Sequence, residues 1–127
     1  MENGRRVYDL DERLIAYAAG VVALTESLPA TRAGNHIAGQ LLRSGTSPAP
    51  NYGEASAAES KRDFLHKMGI CLKELRESPA WLQIVARSKV LRPVQVSAVL
   101  AETEELVRIF GASIATARGK RSDSHQT

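Results

Sequence analysis

Cysteine is almost absent: Cys71 is the only one in 127 residues. An internal disulfide is therefore excluded, and the usage suits a reducing, cytoplasmic setting. Aromatic residues reach only 5%, so platforms for stacking bases are scarce. No run approaches the roughly 18 apolar residues that a membrane span needs. The opening MENGRRVYDLDER carries charge with no apolar block behind it, which gives no sign of a secretory leader. No Gly-x-Ser-x-Gly elbow occurs, and no glycine loop precedes a helix as a phosphate cradle would. A di-metal bundle needs an acidic residue from each of two helices and Glu-x-x-His on the other two. The chain offers one near-match, Asp63-Phe-Leu-His66; neither His36 nor His125 has an acidic residue three positions upstream. Cys71 and His66 are five apart, which puts them on different helix faces. Among Met68, Leu72 and Leu75, Cys71 reads as a small buried apolar residue. These absences lead to the expectation of no enzymatic activity, no metal and no cofactor.

What is present is ordinary apolar content, 43%, in a length that fits one domain. Folding at this size hides roughly two thirds of the unfolded surface, enough for one core. The net charge of +3 is unevenly spread. Residues 1–30 hold three basic and five acidic groups, residues 31–100 ten and five, and residues 101–127 four of each. The central excess permits contact with nucleic acid and is equally the pattern of a solvated helix surface.

Residues 1–8 read as a flexible tail. Asp9 is expected to open the first helix, since Asp9-Leu-Asp-Glu12 has capping-box spacing and its acids favour the positive helix end. Leu10, Leu14, Tyr17, Val21, Leu24 and Leu28 then recur in heptad steps, with Ile15, Ala18 and Val22 as a second stripe. The helix should end near Ser27, before Pro29. A second helix is expected from about Asn35, with Ile37 and Leu41 inward. The third, opened by Glu59-Ser60-Lys61, carries Leu65, Met68, Leu72, Leu75, Leu82 and Ala86, with Phe64, Cys71, Ser78 and Val85 alongside. Pro79 should bend it. The fourth starts at Pro93, where the missing donor costs nothing. It repeats the seam through Val96, Val99, Thr103, Leu106, Phe110, Ile114 and Ala117 and stops at Gly119. Residues 119–127 read as a disordered tail. Four helical patterns, short connections and no credible strand predict an all-α, antiparallel up-down-up-down four-helix bundle over residues 9–118.

The stretch Gln40 to Ala58 is harder to read. Pro48 and Pro50 remove amide donors and favour a break, whereas Arg43, Ser47, Asn51 and Glu54 keep near-helical register and favour one kinked helix. We take the kink. The polar quartet fits a buried hydrogen-bonded network that fixes register or subunit contact, or a ligand site. Of these, the structural role is the better match, because buried polar groups need partners whatever the function.

These residues resemble a four-helix-bundle family whose founding members are encoded in intervening sequences of bacterial 23S ribosomal RNA genes. That family reads Q-L-x-R-(S/A)-x-x-S-(I/V)-x-x-N-I-A-E-G, followed by a basic-acidic-Phe helix start. Gln40-Leu41-Leu42-Arg43-Ser44, Ser47, Asn51 and Glu54 match, as do Lys61-Arg62-Asp63-Phe64-Leu65, the run Leu72 to Glu77, and Trp81-Leu82. Ala55 stands where the family has glycine, and Pro50 adds a second proline. The resemblance spans about residues 9–118 and implies a homopentamer. It also brings in the accessory proteins of diversity-generating retroelements, which share the fold and bind nucleic acid and a reverse transcriptase.

Candidates for contact with RNA or DNA are Arg32, Arg43, Lys61, Arg62, Lys67, Lys73 and Arg76, with Arg118, Lys120 and Arg121 near the end. Such contact should be backbone-directed and salt-sensitive. Ile70, Trp81 and Ile84 form a band off the main seam. It is either an oligomer interface or, if Pro79 turns Trp81 inward, part of the core. Two functions lead: a non-enzymatic, nucleic-acid-associated accessory protein, and a structural or protein-interaction module that binds no nucleic acid; a third, a cryptic metalloenzyme, would need metal retained after purification.

Overall fold

The computed structural model describes the backbone of residues 2–119 and the side chains of residues 10–119. The fold is all-α: α1 (Glu2–Glu26), α2 (Arg32–Thr46), α3 (Pro48–Ser56), α4 (Lys61–Ser88) and α5 (Pro93–Arg118). No strand occurs among the described residues. Because α2 and α3 are separated by Ser47 alone, the chain forms four helical arms, the second of them interrupted.

Local chemistry accounts for most helix boundaries. The Thr31 hydroxyl accepts from the Gly34 amide at 3.0 Å and starts α2 at Arg32, three residues before the expected Asn35. A Cβ on Gly34 would lie 1.9 Å from the Pro29 carbonyl oxygen, so only glycine fits under that turn. The Ser60 hydroxyl accepts from Asp63 at 3.0 Å and opens α4, as its position in Glu59-Ser60-Lys61 suggested. The Gln95 side chain accepts from the Arg92 amide at 3.0 Å, and Pro93 is the first residue of α5. Gly119, at φ 90°, closes α5 in the left-handed conformation that glycine favours. The first boundary differs from expectation. α1 begins at Glu2, so the backbone is already helical on both sides of Asp9, and Asp9–Glu12 is not a cap. The expected tail 1–8 is thus helical from Glu2, its side chains outside the described residues; the expected tail after Gly119 is also outside them.

The proline stretch combines both expectations. Ser47 has φ −63° and ψ −36°, so the chain keeps a right-handed helical path through the interruption. Its amide donates to the Arg43 carbonyl at 3.1 Å, and its carbonyl accepts from Asn51 at 3.2 Å. Restarting at Pro48 places both prolines in the first turn of α3, where their amides would have no intrahelical partner. Pro79, by contrast, lies inside α4, which continues past it to Ser88.

The heptad seams form the core. Leu14, Tyr17, Val21, Leu24 and Leu28 of the first seam are all buried. They meet Leu41, Tyr52, Met68, Cys71, Leu75, Leu82, Val85, Val96, Leu106, Phe110 and Ile114 in one cluster. Each large apolar side chain so buried contributes about 1.5–3 kcal/mol. Tyr52 and Phe110 meet edge to face with centroids 5.8 Å apart. On α4 the buried line is Met68, Cys71, Leu75, Ser78, Leu82 and Val85. Leu65, Leu72 and Ala86, expected on the seam, flank it half-buried. The second stripe on α1 does not turn inward: Ile15 is 51% and Val22 41% exposed.

Two hydroxyl pairs sit inside this core. Ser44 and Ser78 lie 2.8 Å apart, and Tyr17 and Thr103 lie 2.7 Å apart, all four buried. Thr103 also donates to the Val99 carbonyl. Every buried side-chain nitrogen or oxygen among the described residues has a partner. Helices α1 and α2 are in close contact at Gly45, where a Cβ would lie 2.7 Å and 2.8 Å from the two methyls of Val21.

Candidate nucleic-acid interface

The polar quartet divides into three separate contacts. Arg43 reaches across to α4. One guanidinium nitrogen donates to Glu74 at 2.5 Å and another to Glu77, with Gln40 accepting at 3.0 Å. The Asn51 amide donates to the Ser47 carbonyl and hydroxyl, both at 3.0 Å. Glu54 accepts from Lys67 at 2.7 Å. The Arg43 and Glu54 side chains are 45% and 60% exposed, so neither anchors a buried network. The buried polar contacts belong instead to Ser44–Ser78 and Tyr17–Thr103.

Glu77 is the hub of the α2–α4 contact. Besides Arg43, it accepts from the Trp81 indole nitrogen at 3.2 Å. These hydrogen bonds, that to Arg43 foremost, hold its carboxyl below the usual carboxylate range, and the same contact raises Arg43. Trp81 is half-buried against the core, and its ring meets His36 of α2 edge on at 5.6 Å. It therefore stands between the two expected placements. Ile70 is half-buried as well, and Ile84 is 46% exposed.

The basic candidates separate by partner. Arg43 and Lys67 are held by carboxylates, and the Glu54 contact raises Lys67. Arg32, Lys61, Arg62, Lys73, Arg76 and Arg118 are exposed and form none of the ion pairs among the described residues. Arg62, Lys73 and Arg76 share the outward face of α4, opposite its buried line. Arg32 and Lys61 begin their helices and Arg118 ends α5. Lys120 and Arg121 lie outside the described residues.

No group of three His, Cys, Asp or Glu among the described residues is placed to hold a metal ion. Burial pushes the Cys71 thiol up to about 12, so it stays protonated and donates weakly to the Pro48 carbonyl. An open, mainly apolar groove of about 270 Å³ lies between α1 and α5. Ala16, Tyr17, Gly20, Ala98 and Val99 line it, and the Arg13–Glu102 pair, bidentate at 2.8 and 3.0 Å, bounds it. No described helix is long and apolar enough to cross a membrane.

Sequence reasoning missed the acceptors of Arg43 and the paired serines. The acids at Glu74 and Glu77, one turn apart, were a usable signal. Ser78 was readable as lying beside the seam with Cys71 and Val85, but nothing in the sequence pointed to Ser44 as its partner.

Comparison with known proteins shows the family and the fold. The profile of a family described as "23S rRNA-intervening sequence protein" matches residues 9–112. A crystal structure from Bacteroides thetaiotaomicron VPI-5482, described as a protein with unknown function from the S23 ribosomal protein family, superposes with a TM-score of 0.76 at 29% identity. The alignment covers 82% of this chain and 96% of that one. No curated protein matches the chain.

Proposed function

Because the chain belongs to the 23S rRNA-intervening sequence protein family, we propose that it is a non-enzymatic accessory protein that binds the backbone of RNA or DNA through a basic face. In this reading the four arms run as an antiparallel up-down-up-down bundle. Copies assemble into a ring of five in the cytoplasm, and a nucleic-acid enzyme such as a reverse transcriptase is a fitting protein partner. The observation that carries the reading is the set of exposed cations on α4, Arg62, Lys73 and Arg76, outside the ion pairs among the described residues. A ring multiplies the charge of +3 carried by each copy, which favours a polyanion. Filter binding with a structured RNA at low and moderate salt tests it. Retention that falls steeply with salt is expected; no retention at low salt would remove the reading.

A second reading is a structural or protein-interaction ring with no nucleic-acid binding. Ile15 and Val22, seven residues apart on one face of α1 and 51% and 41% exposed, favour it, since an apolar stripe left in solvent marks a contact surface. Light scattering resolves the assembly in either case: a single-copy mass would remove the ring from both.

A further inference from the structure

The outward face of α4 is more ordered than a solvated surface requires. Arg62, His66, Lys73, Arg76 and Arg87 fall on one line at steps of 4, 7, 3 and 11 residues, and all are exposed. The intervening turns on the same line carry Gly69, Ala80 and Gln83, also exposed. No acidic residue occupies it. The acids of α4 are Asp63, Glu74 and Glu77, and both glutamates are turned to Arg43. Lys73 helps to lower the Glu77 carboxyl, but the direct hydrogen bonds of Glu77 go to Arg43 and Trp81. An ordinary solvated helix intersperses signs so that neighbouring turns attract. Arg108 does so with Glu105 on α5, and Arg13 and Lys67 pair with Glu102 and Glu54 of neighbouring helices.

Two further features describe the partner. Phe64 and Trp81 of α4 are half-buried against the core, so His66 is the one exposed ring on the line and no run of aromatic platforms is offered to successive unpaired bases. The line rises through 25 steps from Arg62 to Arg87, about 37 Å of helix, close to the rise of one duplex turn, roughly 34–36 Å. Gly69 keeps the profile low between its cations. A Cβ there would meet nothing within 4 Å, as is also true at Gly20, Gly39, Gly53 and Gly111.

We infer that the outward line of α4 is a docking rail for the phosphate backbone of a nucleic-acid duplex rather than of a single strand. The inference rests on the nucleic-acid reading above and assigns it a surface and a substrate class. His66 and Arg87 join the contact set, whereas Arg32, Lys61 and Arg118 fall outside it.

The test is fluorescence anisotropy at about 50 mM salt with three labelled probes: duplex DNA and duplex RNA of about two turns, and an unstructured single strand of equal length. Three proteins are compared: wild type, Lys73→Gln/Arg76→Gln, and Arg32→Gln/Arg118→Gln, which removes equal charge away from the rail. Circular dichroism melts confirm that all three fold. Wild type should bind at least one duplex about tenfold more tightly than the single strand. The rail variant should lose about tenfold of that affinity, and its salt slope should fall by about 2; the control should lose less than about threefold. Tighter binding of one duplex type identifies the source of the backbone. Equal losses in both variants would overturn the rail, and single-strand affinity matching the duplex would overturn the substrate class. Both outcomes leave nucleic-acid binding intact. No binding of any probe by wild type would overturn the nucleic-acid reading and the rail with it.

Discussion

Two glycine-to-alanine substitutions should move stability in opposite directions. At Gly45 the new methyl would lie 2.7 and 2.8 Å from both Val21 methyls, and Val21 is fully buried. Carbon atoms prefer about 3.5–4.0 Å, so α1 and α2 must separate by roughly 1 Å. Valine has one strongly preferred rotamer in a helix and cannot swing both methyls away. Overpacking of this kind costs about 1–3 kcal/mol, against a helix-propensity gain of about 1 kcal/mol for alanine. The net effect is a loss of up to about 2 kcal/mol, which lowers the melting temperature by several degrees in a domain of this size. At Gly69 the same methyl meets nothing, so the propensity gain stands alone and the melting temperature rises. Circular dichroism melts at one fixed protein concentration read both variants, because assembly would make the midpoint depend on concentration. Adding Val21→Ala to Gly45→Ala should recover part of the loss through non-additivity. A Gly45→Ala protein melting at or above wild type, with Gly69→Ala melting below it, would refute the packing argument.

The buried serines should behave as a unit. Ser44→Ala leaves the Ser78 hydroxyl buried without its 2.8 Å partner and should cost about 1–3 kcal/mol, whereas Ser44→Ala/Ser78→Ala should cost no more than the single change, as urea titrations would show. Acid should loosen the α2–α4 contact. The folded Glu77 carboxyl lies below its ordinary value, so its contribution is complete above the carboxylate range and is lost as pH falls through the folded value. Trp81, whose indole donates to Glu77, should report that step as a change in fluorescence, and Glu77→Gln should abolish it.

Period was legible in the sequence, whereas partnership across helices was not. The seam from Leu14 to Leu28 and that from Val96 to Ile114 were readable because burial of one helix face imposes a repeat on the chain. The caps at Ser60 and Pro93 and the stop at Gly119 were readable because their chemistry is local. Asp9–Glu12 carried an equally local signal, yet α1 continues upstream to Glu2. The register of Arg43, Ser47, Asn51 and Glu54 was visible, but not its destination. Arg43 finds its acceptors 31 and 34 residues away, and proximity of that kind depends on how α2 crosses α4. Ser44–Ser78 was hidden for the same reason. The basic line on α4 was only half visible. Lys73 and Arg76 were noted as charges, but His66 and Arg87 join them only once the buried line through Met68 and Leu82 fixes which way the helix faces.

Lysine footprinting tests the central claim most directly. The whole protein, with and without saturating structured RNA, is briefly acetylated and each lysine is followed by mass spectrometry. Lys73, on the outward face of α4, should be protected several-fold, while Lys89, exposed in the loop beyond α4, should label at an unchanged rate. Equal labelling of both lysines with and without bound RNA would contradict the account.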